Sequence, residues 1–354
     1  MTLSNSGALP LLFALAAASV SSIEARAELQ GNARLSGSVG VDSNARRDFQ
    51  QVGAQVDGVL SAVGSGQARW LLPWSLLSGS YDLGVRKFLT LSAEDFLVQS
   101  ATLGASIPIV KLFDVGVEGW GKDRRGGPRG YTDLVGAGFL ELAPTSALTI
   151  RVRGAFHRFI YHPFFPYSFS AGEGSGRLQY RIDRYHSLSL FGDLSFRSYN
   201  AIADSDPNGP PPERPVQRSD RVTIGGLSYR YGGPVLVSVG YTYGDFSSNS
   251  FGQTAHRHRL AASAGVRLPW KWTLLAEGVL QFTTYPDKIF AAPQILLIDD
   301  ENLNSISLKL ARPLSSDLDL ELQYAFYHAS LPGPDATYRY VRMVGGIGLT
   351  WRLW

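Results

Sequence analysis

Four consecutive residues, His256-Arg257-His258-Arg259, with Ser248 and Ser250 shortly upstream, carry the densest chemistry in the chain. In an extended strand His256 and His258 share a face, and paired imidazoles are metal ligands. Zinc takes about four ligands, so two histidines alone read as a wet rim rather than a metal centre. Asp299-Asp300-Glu301 offers the hard oxygens that suit calcium, yet a solvated acidic loop end has the same composition. Asp133 shares its phase with Glu141 and reads as a partner for lumen arginines rather than a catalytic acid. No glycine-rich phosphate loop, cysteine-based site or Ser/His/Asp spacing stands out. The chemistry therefore predicts no catalytic residues, no metal, no cofactor and no enzyme.

The elements that would position these residues follow from composition. The chain has 354 residues with 33 basic and 30 acidic side chains, a net charge of +3 that is too balanced for a nucleic-acid partner. It has no cysteine, which excludes a disulfide scaffold. No run of about 20 apolar residues suits a membrane helix. Leu9 to Val20 has the length of a signal-peptide apolar region, and Ala25-Arg26-Ala27 supplies an A-x-A cleavage site. The expected organisation is a signal peptide over 1–27 and one domain over 28–354.

Beyond Glu28 the dominant period is two. Leu148, Ile150, Val152, Gly154 and Phe156 share one face, and Thr149, Arg151 and Arg153 the other. Leu188, Leu190, Leu194 and Phe196 likewise oppose Ser189, Asp193 and Arg197, and Leu318, Leu320, Leu322 and Tyr324 oppose Asp319, Glu321 and Gln323. Such segments run to roughly the 9 to 11 residues that a tilted strand needs to cross a bilayer. Sixteen are expected: 33–43, 53–64, 74–86, 95–107, 111–123, 131–143, 147–160, 175–183, 187–199, 220–231, 235–245, 256–268, 272–285, 302–312, 317–328 and 338–353.

Short links such as Pro108-Ile109-Val110, Pro144-Thr145-Ser146 and Gly232-Gly233-Pro234 alternate with long ones such as Lys122 to Gly130, Tyr161 to Gly174 and Asn200 to Ser219. Strict alternation of this kind, with an even strand count, predicts an all-β fold: a transmembrane antiparallel up-and-down β-barrel of about 16 strands. Short turns and both termini then face the periplasm. Tyr241, Tyr243, Phe282, Tyr285, Tyr324 and Phe326 beside long loops, and Trp270 and Trp272 beside a short one, predict two aromatic girdles. Arg158 and Arg339 fall on the apolar phase at outer strand ends, where anionic lipopolysaccharide would meet them.

Phase assigns pore-lining residues. Arg151, Arg153, Arg177, Arg181, Arg197, Arg257, Arg259 and Arg267 point inward, with Asp133, Glu141, Asp319 and Glu321. Basic residues concentrate on strands seven to nine and twelve, and acidic ones on strands two to six and fifteen. That distribution predicts either a salt-bridged wall or a transverse field across a water-filled pore. The aromatic run Tyr161-His162-Pro163-Phe164-Phe165-Pro166-Tyr167 would constrict the lumen, stack on sugar rings or pack on neighbouring loops. Ile295 to Ile298 would fold into the barrel mouth or contact lipid or a partner.

The final segment GLTWRLW puts Leu349, Trp351 and Leu353 on the lipid-facing phase, with Trp354 one residue out of step. It is similar to the C-terminal signal read by barrel-insertion machinery, so Leu349, Trp351, Leu353 and Trp354 are its candidates. Either Trp354 anchors at the interface, or a bulge near Gly345-Gly346 restores its phase.

Together with this closing strand, the first-hairpin sequence Gly40-Val41-Asp42-Ser43-Asn44 gives the chain a resemblance to bacterial outer-membrane β-barrel proteins over its whole mature length. The G-x-D-S-N stretch is similar to barrel domains attached to tetratricopeptide repeats, among them polysaccharide-secretion porins. The resemblance implies an integral outer-membrane channel for hydrophilic solutes or an exported glycan. Lipid, lipopolysaccharide and the assembly machinery are the implied partners. Two alternatives stay open: a non-transporting structural or assembly barrel that binds lipopolysaccharide or a partner protein, and an outer-membrane lipase or protease. Cargo and oligomeric state are left open.

Overall fold

The computed structural model describes residues 28–48, 53–206, 209, 214–287, 304–332 and 337–353. The proposed signal peptide, Ile295 to Ile298, Asp299-Asp300-Glu301 and Trp354 lie outside the described residues. Sixteen antiparallel strands close into one barrel, each paired with its sequence neighbours and β1 paired with β16.

The strands are β1 (Glu28–Asp42), β2 (Asp57–Leu72), β3 (Ser75–Phe88), β4 (Phe96–Val110), β5 (Phe113–Arg125), β6 (Tyr131–Leu142), β7 (Leu148–Tyr161) and β8 (Phe169–Arg181). They continue with β9 (His186–Ile202), β10 (Gln217–Gly232), β11 (Val235–Ser248), β12 (Ala255–Arg267), β13 (Thr273–Thr284), β14 (Asn304–Pro313), β15 (Leu318–Pro332) and β16 (Thr337–Arg352).

Closure removes every free sheet edge, which is the condition for a sheet to span lipid. The outward face carries the exposed aliphatics and aromatics, among them Val152, Phe156, Leu190, Phe196, Leu280, Phe282 and Trp351. Tight links of two residues, 73–74, 111–112 and 233–234, lie at the end that holds both described termini. Buried apolar side chains gather at the opposite end, in small clusters around Phe88, Tyr131 with Tyr161, Phe169 with Tyr199, and Tyr340. The periplasmic half of the wall carries no such cluster among the described residues.

Strand boundaries depart from the periodicity in informative places. β2 runs over Asp57–Leu72 rather than 53–64, so its polar second half, with Gln67 and Arg69, is strand as well. β8 begins at Phe169 rather than 175. Its outward positions there are Gly172, Gly174 and Gly176, which carry no apolar signal, and pairing to β7 and β9 alone makes the strand. The supposed loop from Tyr161 to Gly174 shrinks to 162–168, and that from Lys122 to Gly130 to 126–130. β16 pairs without interruption through Gly345 and Gly346 on both sides, so no bulge resets the phase there. Gly40 and Gly346 allow a close backbone approach at the β1–β16 seam, where a Cβ would collide with the facing carbonyl.

Candidate functional site in the barrel interior

The cross-strand register carries one phase unbroken around the sheet. Asp114 faces Glu141, Glu141 faces Arg151, Arg151 faces Arg177 and Arg177 faces Phe191. This is the concave face, because side chains from β5 and β7 meet over β6. Glu118 on β5 accepts from Arg153 Nε at 2.7 Å and from Arg151 Nη2 at 2.6 Å. Arg151 also lies 3.9 Å from Glu141 and stacks over Phe139 at 3.8 Å. Like charges directly opposite one another destabilise a sheet, so Glu118 relieves the Arg151–Arg177 pair by drawing Arg151 away. Alanines at 137 and 155, opposite Glu118 in the same row, leave room for the arginines to cross.

A second node lies nearer the outer end. His157 Nε2 is 2.6 Å from Asp133 Oδ1, and Nδ1 is 2.7 Å from Glu173 Oε1. Ionised carboxylates only accept. Both ring nitrogens therefore donate in this arrangement, and the imidazole serves as the cation between two acids. Asp133, expected to pair with an arginine, instead holds a histidine. Arginine is the longer reach, but His157 is diagonal to Asp133 across the β6–β7 pair and its flat ring fits beside Ala171.

The far wall is also bridged. Lys309 Nζ lies 2.7 Å from Glu321 and Arg352 Nη2 2.5 Å from Asp319. Arg197 and Arg257 stack over Phe169 and Phe246, 4.9 and 4.8 Å from the ring centres. Arg259 is half-buried in the same phase as Arg257. Arg177, Arg181 and Arg267 remain exposed on the inner face. The basic and acidic walls thus interlock at β5–β8, and exposed positive charge is left on β8 and β12.

Periodicity alone did not reveal an aromatic and guanidinium collar inside the outer mouth. Tyr131, Phe159, Phe169 and Tyr199 form a continuous ring row across β6 to β9, with centroid spacings of 5.7, 5.4 and 5.2 Å. Arg124 stacks on Phe96 at 4.0 Å and Arg218 on Tyr199 at 4.1 Å. From the β5–β6 loop, buried Arg129 donates to Glu94 at 2.5 Å and to the Arg46 carbonyl at 3.2 Å, strapping three loops together. Burial and the nearby Arg47 charge push the Arg129 guanidinium down to about 10, against the pull of Glu94. All four ring-row residues occupy the inward phase, which is the sequence signal that marks them.

The 161–167 aromatic run divides between two roles. Tyr161, with Phe169 beyond the run, is a buried strand residue, while Phe164 and Phe165 are exposed at the loop tip. Tyr167 packs on Tyr161 and Phe164.

On the outer face, Tyr241 and Tyr243 stand beside His258 and His256 in the expected girdle, and Phe282 joins them. His258 lies 2.8 Å from the Tyr241 hydroxyl and His256 3.0 Å from Asp245. No group of three or more metal-ligating side chains occurs among the described residues. Tyr285 leaves the girdle expected for it: it is turned toward Arg257, and burial pushes its phenol up to about 12. Of the closing-strand residues, Leu349, Trp351 and Leu353 are exposed on the outward face.

A closed sixteen-stranded barrel with an apolar exterior and a charged interior defines the class: an integral β-barrel of the bacterial outer membrane. No family model and no curated protein matches the sequence. Among solved structures, the chain is similar to OccD3 (OpdP) of Pseudomonas aeruginosa, with 7% identity over 95% of this chain and 96% of that one, TM-score 0.46. It is also similar to OccAB1 of Acinetobacter baumannii, with 10% identity over 94% and 99%, TM-score 0.48. OmpT, an outer membrane protein of Vibrio cholerae, gives 11% identity over 93% and 100%, TM-score 0.47. With these scores below 0.5, the barrel rests on its own strand pairing.

Proposed function

We propose that this barrel is a channel for hydrophilic solutes and that its interior favours anions. The observation that carries the reading is the exposed Arg177, Arg181 and Arg267 on an inner face where Arg151, Arg153 and Lys309 are held in ion pairs. Barrels of this strand number enclose an aqueous lumen, and rings of arginine select for anions. Arg151, Arg153, Arg197, Arg257 and Arg259 line the same path, with Asp133, Glu141, Asp319 and Glu321 as the acids that tune it.

Export of an anionic or neutral glycan is the more specific reading. The ring row from Tyr131 to Tyr199 supports it, since sugar faces stack on aromatic rings. The outward Leu349, Trp351 and Leu353 support recognition by barrel-insertion machinery, and an N-terminal leader over 1–27 would deliver the chain to it. Purified protein in planar bilayers tests the channel: discrete conductance steps with a reversal potential on the anion side are expected. Absence of conductance, even after deletion of the 126–130 loop, would overturn the reading.

A further inference from the structure

The outward face of β4 to β7 changes character at its outer end. The same phase that carries apolar residues lower down carries Gln99, Asp123, Thr132 and Arg158 here. Asp123 accepts from Thr132 Oγ1 at 2.6 Å, from Arg125 Nε at 2.7 Å and from Gln99 Nε2 at 3.2 Å. These donors occupy both carboxylate oxygens and fix Arg125 by its Nε, while 59% of the Arg125 side chain stays exposed. One row across the sheet, exposed His162 bonds through its backbone N–H to Gly130 and lies 3.0 Å from Thr132 Oγ1. Between them opens a cleft of about 690 Å³.

The cleft wall includes Gly126 and Gly127, whose φ values of 81° and 64° suit glycine and leave bare backbone at the opening. Four residues down β7 from His162, on the same face, Arg158 donates to Ser170 Oγ at 2.5 Å. At about 3.3 Å per residue this sets the two groups roughly 13 Å apart. Directly below Arg158 the surface is apolar: Leu134 opposite it, then Phe156 and Val152, all exposed. The loop that carries His162 also presents Phe164 and Phe165, rings of the kind that settle at headgroup level.

We infer that this patch binds the phosphorylated sugar headgroup of an outer-leaflet glycolipid. Arg158 and the Arg125–His162 cleft hold anionic groups at two heights, and the acyl chains run down over Leu134, Phe156 and Val152. The vertical order of the residues argues for a lipid rather than a soluble anion, because Arg158 stands directly above lipid-facing hydrocarbon. Arginine is the residue suited to phosphate, which it binds by paired charge-assisted hydrogen bonds. A lipid-facing arginine this near the interface costs far less than one at the bilayer midplane, so the fold tolerates the arrangement.

The test uses the full barrel in neutral phosphatidylcholine nanodiscs with three probes: bisphosphorylated lipid A, the same lipid dephosphorylated, and inorganic phosphate. Native mass spectrometry counts bound lipid. Expected is retention of the bisphosphorylated form at least about tenfold above the dephosphorylated one, with that preference lost in Arg125→Ala/Arg158→Ala and largely kept in Arg125→Lys/Arg158→Lys. Equal retention of the two lipids by the unmodified protein overturns the inference without any variant. So does an alanine variant, folded by its heat-modifiable gel mobility, that keeps the preference. Inorganic phosphate bound in the absence of any lipid preference would mark an anion site and overturn the lipid assignment.

Discussion

Arg342 on the last strand and Asp42 on the first form a buried, forked ion pair that locks the barrel seam at its outer end. Arg342 Nη2 lies 2.6 Å from Asp42 Oδ2, Nε lies 3.0 Å from both carboxylate oxygens, and the two side chains are 1% and 0% exposed. Two neighbours in the G-x-D-S-N stretch reach across beside them. Ser43 exchanges hydrogen bonds with the Met343 backbone at 2.9 and 2.8 Å, and Asn44 Nδ2 donates to the Val341 carbonyl at 3.2 Å.

Removing one partner of a buried pair strands the other charge, at a cost of about 3–5 kcal/mol. Arg342→Ala should lower barrel stability by that order, measured by urea unfolding in lipid vesicles with tryptophan fluorescence. The paired replacement Arg342→Met with Asp42→Leu should recover much of the loss. A midpoint for Arg342→Ala equal to that of the unmodified protein would show that the seam does not depend on this pair.

Glu118 holds both Arg151 and Arg153 and offsets one of their two charges. Glu118→Gln releases both guanidinium groups into the lumen, so chloride permeability relative to potassium should rise about twofold or more. Reversal potential across a salt gradient measures it; an unchanged value means these arginines do not border the ion path. Stability should move little, because all three side chains are partly solvated.

The opposite sign is expected at the second node. His157→Gln removes the cation between Asp133 and Glu173 and leaves two carboxylates facing each other, so selectivity should shift toward cations in the same bilayer measurement. A shift in the same direction as Glu118→Gln would rule out a lumen in which net wall charge sets selectivity.

Glu94→Ala removes the acid that holds Arg129 across the mouth. The 126–130 loop should then lose its anchor, with larger single-channel conductance and more open-channel noise. Currents identical to those of the unmodified protein would mean that the strap lies off the conduction path.

At the opposite end, Asp183 caps the β8–β9 turn by accepting the N–H groups of Tyr185 at 2.7 Å and His186 at 2.9 Å. The Tyr185 N–H, with that of His186, holds its carboxyl below the usual 3.8, against a raising contribution from desolvation. A lowered folded value means that the stabilisation is complete above the unfolded value and disappears as pH falls through the folded one. The stability gap between the unmodified protein and Asp183→Ala should therefore be present at about pH 7 and close by about pH 2. Unfolding midpoints at the two pH values decide it; a gap that is independent of pH would assign the turn to something other than the ionised carboxylate.

What the sequence determined by itself is face and direction. A strict period of two assigns Arg151 inward and Val152 outward with no knowledge of any neighbour, and alternating link lengths set sixteen strands with both described ends on the short-link side. These are local properties of an extended chain. Where the local signal is blank, as along the outward glycines of β8, tertiary pairing with β7 and β9 drew the strand. Partner choice belonged to the closed barrel. Glu118 meets arginines from two strands away because the inner face is concave, and Asp133 takes His157 because the β6–β7 register sets them diagonally. The G-x-D-S-N stretch is legible as the first hairpin, yet what it holds is Arg342, 300 residues after Asp42. Only closure, which brings the two ends of the sheet together, could make those residues neighbours.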